Sequence, residues 1–279
     1  MKPKFGASTL SWINPSWADQ STLYAIQKAS ASGFDLIEIL LPPSLQIDVK
    51  AIRKQLDISK IDGSCGLNLP KEAHIPFYPK EATQLMKKAI DTVFELGLNH
   101  LGGVLHSGIG VFSGTALSEK EKNTICEVWA EIAEYALRKD ISLGIEPINR
   151  YESYVCNVAD NVLELTKRVN APNIFLHLDT FHMCMEEKDF FNPVKKAGKA
   201  LKQIHMTESN RGMLGEGNVH WDDLFKALSE INFEGNLVLE NFSSSVPGLA
   251  DAVSLWQPSD YDADALATGS LKFMQKYYL

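Results

Sequence analysis

Hydrophobic and polar positions follow two alternating patterns along the chain. Short runs of aliphatic residues, typical of strands, are followed by longer stretches in which apolar residues recur every three or four positions, typical of helices. The strand-like runs are "KFGAST", "DLIEIL", "ISKIDGSCGL", "HLGGVLHS", "SLGIEPIN", "IFLHLDT", "LKQIHMTE" and "NLVLENF". Eight strands, most of them separated by a helix, predict an α/β fold, a single (β/α)8 TIM barrel. Because no Ser/Gly/Pro linker interrupts the pattern, we expect one domain over residues 1–279.

Two of the helical stretches carry clear boundary signals. Pro79 opens "PKEATQLMKKAIDTVFELG" and Gly97 closes it, as expected for a helix start and stop. Ser118 precedes the stretch "EKEKNTICEVWAEIAEYALRKD" and is a candidate N-cap, with acidic residues in the first turn that suit the helix dipole. The long helices predicted here would form the outer layer of the barrel.

Composition and charge narrow the range of partners. Of the 279 residues, 45% are hydrophobic and 22% are charged, which is ordinary for a globular protein with a large core. The net charge of -8 offers no basic surface for a phosphate backbone, so nucleic acid is not an expected partner. No segment approaches the roughly twenty apolar residues of a membrane span, and no signal peptide is recognisable. We therefore expect a cytoplasmic protein that does not bind membranes and keeps its four cysteines reduced.

The ends of the last four predicted strands share one pattern. In "LGIEP", "LHLDT", "QIHMT" and "LVLEN", an apolar residue comes directly before a possible metal ligand. The four ligand candidates are Glu146, Asp179, His205 and Glu240. Since successive side chains of a strand point to opposite faces, all four would face the barrel axis near the carboxyl ends of the strands, where barrel enzymes carry their active sites. Three carboxylates and one imidazole at this position predict a divalent metal site for Mn²⁺, Mg²⁺ or Co²⁺.

The same segments resemble a known family. "GIEPINRYE", "HLDTFHM", "IHMTESNRG" and "LVLENF", in this order and spacing, are similar to the ketose 3-epimerases of the D-tagatose and D-psicose (allulose) 3-epimerase group, in the xylose-isomerase-like TIM barrel superfamily. The resemblance is specific through roughly residues 140–242, while in the amino-terminal half "GFDLIEIL" looks like the family's second strand. It implies a divalent metal cofactor, Mn²⁺ above all, held by the four residues that strand parity selects.

The resemblance also implies a reaction and roles for single residues. It implies interconversion of ketoses at C3 through a metal-stabilised cis-enediolate, with Glu146 and Glu240 as acid and base on opposite faces of a small sugar substrate. Glu152, His182 and Arg211 match residues that hydrogen-bond the oxygens of the sugar. From its own surroundings in the sequence, Glu152 could instead pair with Arg150.

Other residues are weaker candidates for the pocket. His106, at the end of the fourth predicted strand, is a possible substrate contact. His177 shares the inward parity of Asp179 but lies two residues deeper, so we expect a hydrogen-bonded interior residue that supports the site from below. An apolar wall against the far end of the sugar could be formed by Trp12, Trp17, Cys65, Gly66 and Phe242.

Several alternatives stay open on the sequence alone. "GASTLSWINPSW" and "LENFSSSVPG" depart from the best-known relatives, so the substrate could be a free ketose, a keto-glycoside or a keto-polyol. The same barrel could serve an aldose-ketose isomerase or a keto-acid dehydratase, an apurinic-site endonuclease, or a sugar-binding protein without activity. We expect a homo-oligomer, a dimer or tetramer, in which the aromatic "LKFMQKYYL" either covers a neighbouring subunit or closes the barrel.

Overall fold

Eight parallel strands close into a barrel in the order of the sequence, with the first strand paired to the last. The structure is a computed structural model and describes residues 2–15 and 19–278. The strands are β1 (Lys4–Ser8), β2 (Leu36–Leu40), β3 (Asp62–Gly66), β4 (His100–Gly102), β5 (Ser142–Ile145), β6 (Ile174–Asp179), β7 (Leu201–Met206) and β8 (Asn236–Leu239). The predicted (β/α)8 TIM barrel is therefore confirmed.

The helices surround the barrel, and shorter ones lie in the connections. Those in the described residues are α1 (Asp19–Ser32), α2 (Val49–Ser59), α3 (Pro79–Glu95), α4 (Glu119–Leu137), α5 (Ala159–Val169), α6 (Thr180–Glu186), α7 (Asn192–Ala197), α8 (Trp221–Glu230), α9 (Leu249–Ala252) and α10 (Ala263–Lys276). The predicted boundary signals are confirmed, since α3 begins at Pro79 and Ser118 caps α4 in a capping box with Glu121. Among residues 2–15 and 19–278, no helix is long and apolar enough to cross a membrane.

Most strands are shorter than the sequence pattern predicts. The first residues of "ISKIDGSCGL" belong to the end of α2, which stops at Lys60 in the left-handed conformation. Strand β4 has only three residues because the chain turns at Gly103, where φ is 110° and a Cβ atom would lie 2.6 Å from the carbonyl oxygen of Leu67. Strands β5 and β8 end at Ile145 and Leu239. Glu146 and Glu240 are thus the first residues after their strands, at the mouth of the barrel.

Several polar side chains are buried inside the barrel. Glu38, His177 and Gln203 are almost completely buried there, at 3%, 0% and 0% exposed. Lower in the barrel, the ring of Phe175 occupies the space beside Gly144, where a Cβ atom would come within 2.6 Å of it. Buried polar groups are costly without partners, and Gln203 Nε2 contacts both Glu38 Oε2 and His177 Nε2.

The carboxy-terminal helix closes the barrel of its own chain. Met274 of α10 is completely buried, and Tyr277 stacks on Phe225 of α8 with a centroid separation of 3.9 Å. Tyr278 packs edge-on against Phe5 of β1. Of the two roles considered for "LKFMQKYYL", the structure thus shows the closing one, and the homo-oligomer stays a prediction.

Candidate active site

The four predicted metal ligands meet at the carboxyl end of the barrel, around the imidazole of His205. The Nδ1 atom of His205 lies 3.3 Å from Glu146 Oε1, 3.9 Å from Asp179 Oδ2 and 3.8 Å from Glu240 Oε1. The side chains of these residues are 15% exposed or less. Asp179, His205 and Glu240 offer three ligand atoms within 4.8 Å of one another, as do Glu146, His177 and His205. The structure therefore brings together the residues that strand parity selects.

The charges in this cluster are poorly balanced. Burial raises the pKa of Glu146, and the carboxylates of Glu240 and Glu38 raise it further against the opposing effect of His205. Burial, together with Glu240 and Glu146, raises the pKa of Asp179 to about 7 despite the nearby Arg211. Burial favours the neutral form of His205, but the surrounding carboxylates outweigh it and raise its pKa well above the usual value. A cluster with this surplus of buried negative charge favours a bound cation.

The donor atoms also fit a divalent ion. His205 Nδ1 is buried and has no hydrogen-bond partner among the described residues, although three carboxylates surround it. Its other ring nitrogen, Nε2, is already held at 2.8 Å by Glu38. One imidazole nitrogen and three carboxylates form a mostly oxygen ligand set of the kind that hard divalent cations take. The group could therefore hold a metal ion.

Arg211 lies over the carboxylates and between two aromatic rings. Its Nη1 atom donates to Asp179 Oδ2 at 3.3 Å and to Glu240. The guanidinium carbon lies 3.9 Å from the ring centroid of Phe181 and 4.9 Å from that of Phe242. The side chain is 14% exposed, so it is a buried cation of the site and not a solvated loop residue.

The loop that carries Arg211 is held by Glu208, a residue that the sequence analysis missed. Glu208 is completely buried, and its carboxylate accepts hydrogen bonds from the backbone N–H of Gly215 at 3.0 Å and of Val219 at 3.1 Å. The indole N–H of Trp221 donates to it at 2.9 Å. Its own backbone carbonyl accepts from the N–H of Arg211. These contacts fix the loop between β7 and α8, and with it the position of the guanidinium.

A cavity of about 540 Å³ opens directly above the cluster. This volume lies in the range of small-molecule sites. The polar part of its lining includes Glu38, Glu146, Glu152, His182, His205, Asn210, Arg211 and Glu240. The apolar part includes Leu10, Leu40, Ile109, Ile148, Phe181, Phe242, Val253 and Leu255. Another cavity, of about 600 Å³, lies at the opposite end of the barrel beside Lys4 and Asp62, away from the cluster of three carboxylates and one imidazole.

Asn149 joins two of the predicted substrate contacts. Its side-chain N–H donates to Glu152 Oε1 at 2.7 Å and lies 2.9 Å from His182 Nδ1, which also accepts from the backbone N–H of Asn149. Burial and the charge of Arg211 lower the pKa of His182 well below its usual value. Since Nδ1 accepts hydrogen bonds, the proton of the neutral ring lies on Nε2.

The competing interpretation of Glu152 as a surface ion pair is wrong. Arg150 pairs with Glu186 instead, at 2.9 Å. Glu152 therefore lines the cavity together with His182. Both side chains lie where they could contact a bound ligand.

Several weaker candidates lie elsewhere. His106 is completely buried outside the cavity lining, and its Nε2 atom lies 2.9 Å from the backbone carbonyl oxygen of Glu146. Trp12 packs against Phe34 and donates its indole N–H to Asp264. Of the remaining residues suggested for the apolar wall, Gly66 and Phe242 line the cavity, Cys65 is buried behind it, and Trp17 lies outside the described residues.

His177 lies below the cluster, as expected. Its ring is completely buried and meets the ring of His205 at a right angle with a centroid separation of 4.1 Å. The Nε2 atom lies 3.4 Å from Gln203 Nε2, and Nδ1 is 3.9 Å from Glu146 Oε2. The ring thus supports two of the ligand candidates from inside the barrel.

Fold and site together define a TIM barrel in which a cluster of possible metal ligands lies beneath a cavity of the size that small molecules occupy. Residues 26–277 match the family model described as xylose isomerase-like TIM barrel. The chain is 34% identical to an L-ribulose 3-epimerase of Methylomonas sp. (strain DH-1), over 99% of this chain and 98% of that protein, and 32% identical to a ketose 3-epimerase of Arthrobacter globiformis, over 98% and 96%. It belongs to the xylose isomerase-like TIM barrel family and, within it, to the ketose 3-epimerases, an isomerase-class group.

A solved structure supports the same assignment. The crystal structure of D-allulose 3-epimerase from Methylomonas sp. in complex with D-allulose has a TM-score of 0.92 and 32% sequence identity. The similarity covers 99% of this chain and 98% of that one. The whole barrel is therefore shared with that protein, including the end at which the cavity opens.

Proposed function

We propose that this protein is a divalent-metal-dependent ketose 3-epimerase, with Mn²⁺ as the expected metal. The observation that carries the proposal is the pair Glu146 and Glu240, which enter one cavity from β5 and β8 while Asp179 and His205 come from the strands between them. Two carboxylates at separate positions of one cavity can exchange protons with a substrate from two directions. Relatives named for the same activity support the assignment.

The two glutamates would share the proton transfer. One removes the proton from C3, next to the carbonyl group of the ketose, and the other returns a proton to the opposite face of the resulting enediolate. A divalent ion held by Glu146, Asp179, His205 and Glu240 would supply Lewis-acid stabilisation of the negative charge that develops on the substrate oxygen. The two side chains are only 6% and 15% exposed, and low exposure to water strengthens electrostatic interactions with a bound substrate.

The surrounding side chains can orient a sugar. His182 presents an Nε2–H donor, Glu152 a carboxylate acceptor and Arg211 a charged donor, so they complement the hydroxyl and carbonyl oxygens of a ketose. Apolar side chains such as Phe242 and Leu255 would face the far end of the sugar. We propose a free ketose as the substrate, in keeping with the relatives named for L-ribulose and D-allulose, and a cytoplasmic homo-oligomer as the active form.

The charge of the cavity argues against the endonuclease alternative. Among the described residues, its lining includes four glutamates and a single arginine, which lies in contact with Glu240. The negatively charged phosphates of a nucleic acid would be repelled by these carboxylates at the opening of the cavity. The aldose-ketose isomerase and dehydratase alternatives share the barrel and would be separated by the position of the chemistry on the substrate.

A panel of ketoses incubated with protein and Mn²⁺ in D₂O tests the proposal. We expect deuterium to enter at C3 and the C3 epimer to form, because proton removal and return take place at that carbon. NMR of the product mixture reads both. Label at C1 or C2 with formation of an aldose, or loss of water, would assign one of the alternative reactions. Absence of exchange for every ketose would leave a binding protein and refute the proposal.

Replacing Arg211 with lysine should lower kcat/KM by about 10- to 30-fold. Lysine keeps the charge but loses the planar contact with Phe181 and Phe242, and a desolvated cation–π contact contributes about 2 kcal/mol. Steady-state kinetics with the preferred ketose measures the effect. The matched control is Arg150→Lys, an exposed arginine that pairs with Glu186 and should keep native kinetics. Equal kinetics for both variants would contradict a role of Arg211 at the substrate.

A further inference from the structure

Glu38 is a buried carboxylate inside the barrel with a direct contact to a proposed metal ligand. It lies in β2, in the middle of the apolar run "LIEIL", and is 3% exposed. Its Oε1 atom lies 2.8 Å from His205 Nε2, and its Oε2 atom accepts a hydrogen bond from Gln203 Nε2. Both carboxylate oxygens are therefore engaged on the side of His205 that faces away from the other ligands.

This contact determines how His205 is presented. With Nε2 donating to Glu38, the Nδ1 atom is the nitrogen that faces Glu146, Asp179 and Glu240. Nδ1 is buried and has no hydrogen-bond partner in the described part of the chain. A buried nitrogen that faces three carboxylates at 3.3 to 3.9 Å is the arrangement expected of a ligand atom.

The barrel is built to keep Glu38 in this position. Gly66, its neighbour in β3, leaves room for the carboxylate, since a Cβ atom there would lie 3.4 Å from Glu38 Oε1. Gln203, two residues before His205 in β7, donates to Glu38 and lies 3.5 Å from the side-chain N–H of Asn236 in β8. Both hydrogen-bonding partners of the carboxylate thus come from β7, Asn236 of β8 contacts one of them, and Gly66 of β3 leaves the space that the carboxylate occupies.

We propose that Glu38 is a positioning residue for the metal site. It holds the proton of the imidazole on Nε2, so that the lone pair of Nδ1 faces the ion, and its negative charge makes the ring a stronger ligand. This inference rests on the metal site of the proposed function. Loss of such an outer carboxylate costs about 10- to 100-fold in metal affinity in other proteins, and we expect the same range here.

Binding of Mn²⁺ to the full chain tests the proposal without measuring catalysis. Electron paramagnetic resonance of free Mn²⁺ gives the dissociation constant for the native protein and for Glu38→Gln, which keeps the size of the side chain and removes its charge. The matched control is Ser64→Ala. Ser64 is paired with Glu38 in the sheet register and is completely buried, and its hydroxyl has no hydrogen-bond partner among the described residues. We expect about 10- to 100-fold weaker binding for Glu38→Gln and native binding for Ser64→Ala.

A second measurement uses the native chain, so it does not depend on the folding of a variant. NMR of cadmium-loaded protein with nitrogen-labelled histidine should show His205 coordinated through Nδ1 and protonated at Nε2. Thermal unfolding distinguishes positioning of the metal ligand from a purely structural role. A purely structural role would lower the Tm of Glu38→Gln by the same amount with and without bound metal.

The possible failures are distinguishable. Coordination through Nε2, or native Mn²⁺ affinity in Glu38→Gln, would overturn the role of Glu38 and leave the epimerase proposal standing. If the native chain does not bind Mn²⁺, the proposed metal site and this inference fail together.

Discussion

Glutamine in place of Glu240 or Glu146 should stop epimerisation and leave each variant able to exchange the C3 proton of one epimer only. In the proposed mechanism each carboxylate serves one face of the sugar, so a variant with one glutamate would still remove and return the proton on the face that it keeps. General acid–base groups contribute about 10² to 10⁴ in rate, and we expect a loss of epimerisation in that range. The two variants should exchange opposite epimers.

The experiment incubates each C3 epimer separately with each variant in D₂O. Because both glutamates are also proposed metal ligands, Mn²⁺ is kept saturating and its binding is measured in the same samples. Glu131→Gln is the control, since Glu131 lies exposed on α4 beside Lys87, far from the cavity lining. If both variants exchange the same epimer, or if either one epimerises at the native rate, the two-base assignment is wrong.

The ligand cluster could be predicted from the sequence because it follows from local rules. Asp179 and His205 are the inward-facing residues near the ends of β6 and β7, and they are paired directly in the register of the two strands. Glu146 and Glu240 come one position after β5 and β8 and still face the axis. Strand parity and the closure of the barrel are sufficient to place such residues together.

Glu38 escaped prediction because its partner is distant in the chain. It lies 167 positions before His205, and the two meet only across the closed barrel. The available signal is a single carboxylate within the apolar run "LIEIL", which must find a buried partner. Asn149 would have been easier to predict from the local sequence. It lies three positions before Glu152 in a loop, a spacing that allows the observed hydrogen bond.

His106 lies outside the cavity lining for a definite physical reason. It was a candidate because it ends the predicted strand run "HLGGVLHS", but β4 ends at Gly102 and the chain turns at Gly103. Beyond a residue with positive φ, the alternation of side chains no longer applies. Trp12 similarly follows a 3-10 turn at Thr9–Ser11, after which its ring packs on Phe34 and not on the cavity.

Removal of the divalent ion should abolish activity and lower the stability of the protein. Glu146, Asp179 and Glu240 would then lose the compensating charge that the ion supplies. An ion present at about 1,000 times its dissociation constant stabilises the folded state by about 4 kcal/mol, which sets the expected loss. Calorimetry of protein treated with a chelator and then dialysed measures the shift in Tm, and the same sample is assayed for exchange at C3. Chelator saturated beforehand with Mn²⁺ is the control and should have no effect.

The metal-free protein should nevertheless remain folded and regain activity when Mn²⁺ is added. Arg211 contacts Asp179 and Glu240 directly, so part of the negative charge stays compensated by a cation of the chain itself. The remaining carboxylate, Glu146, can take up a proton, since burial and the neighbouring carboxylates raise its pKa. The proposed reaction would have no such substitute, because neither the guanidinium nor a protonated carboxyl group carries the double positive charge of the proposed Lewis acid. A fully metal-free protein that still exchanges the C3 proton at the native rate would refute metal dependence, whatever its stability.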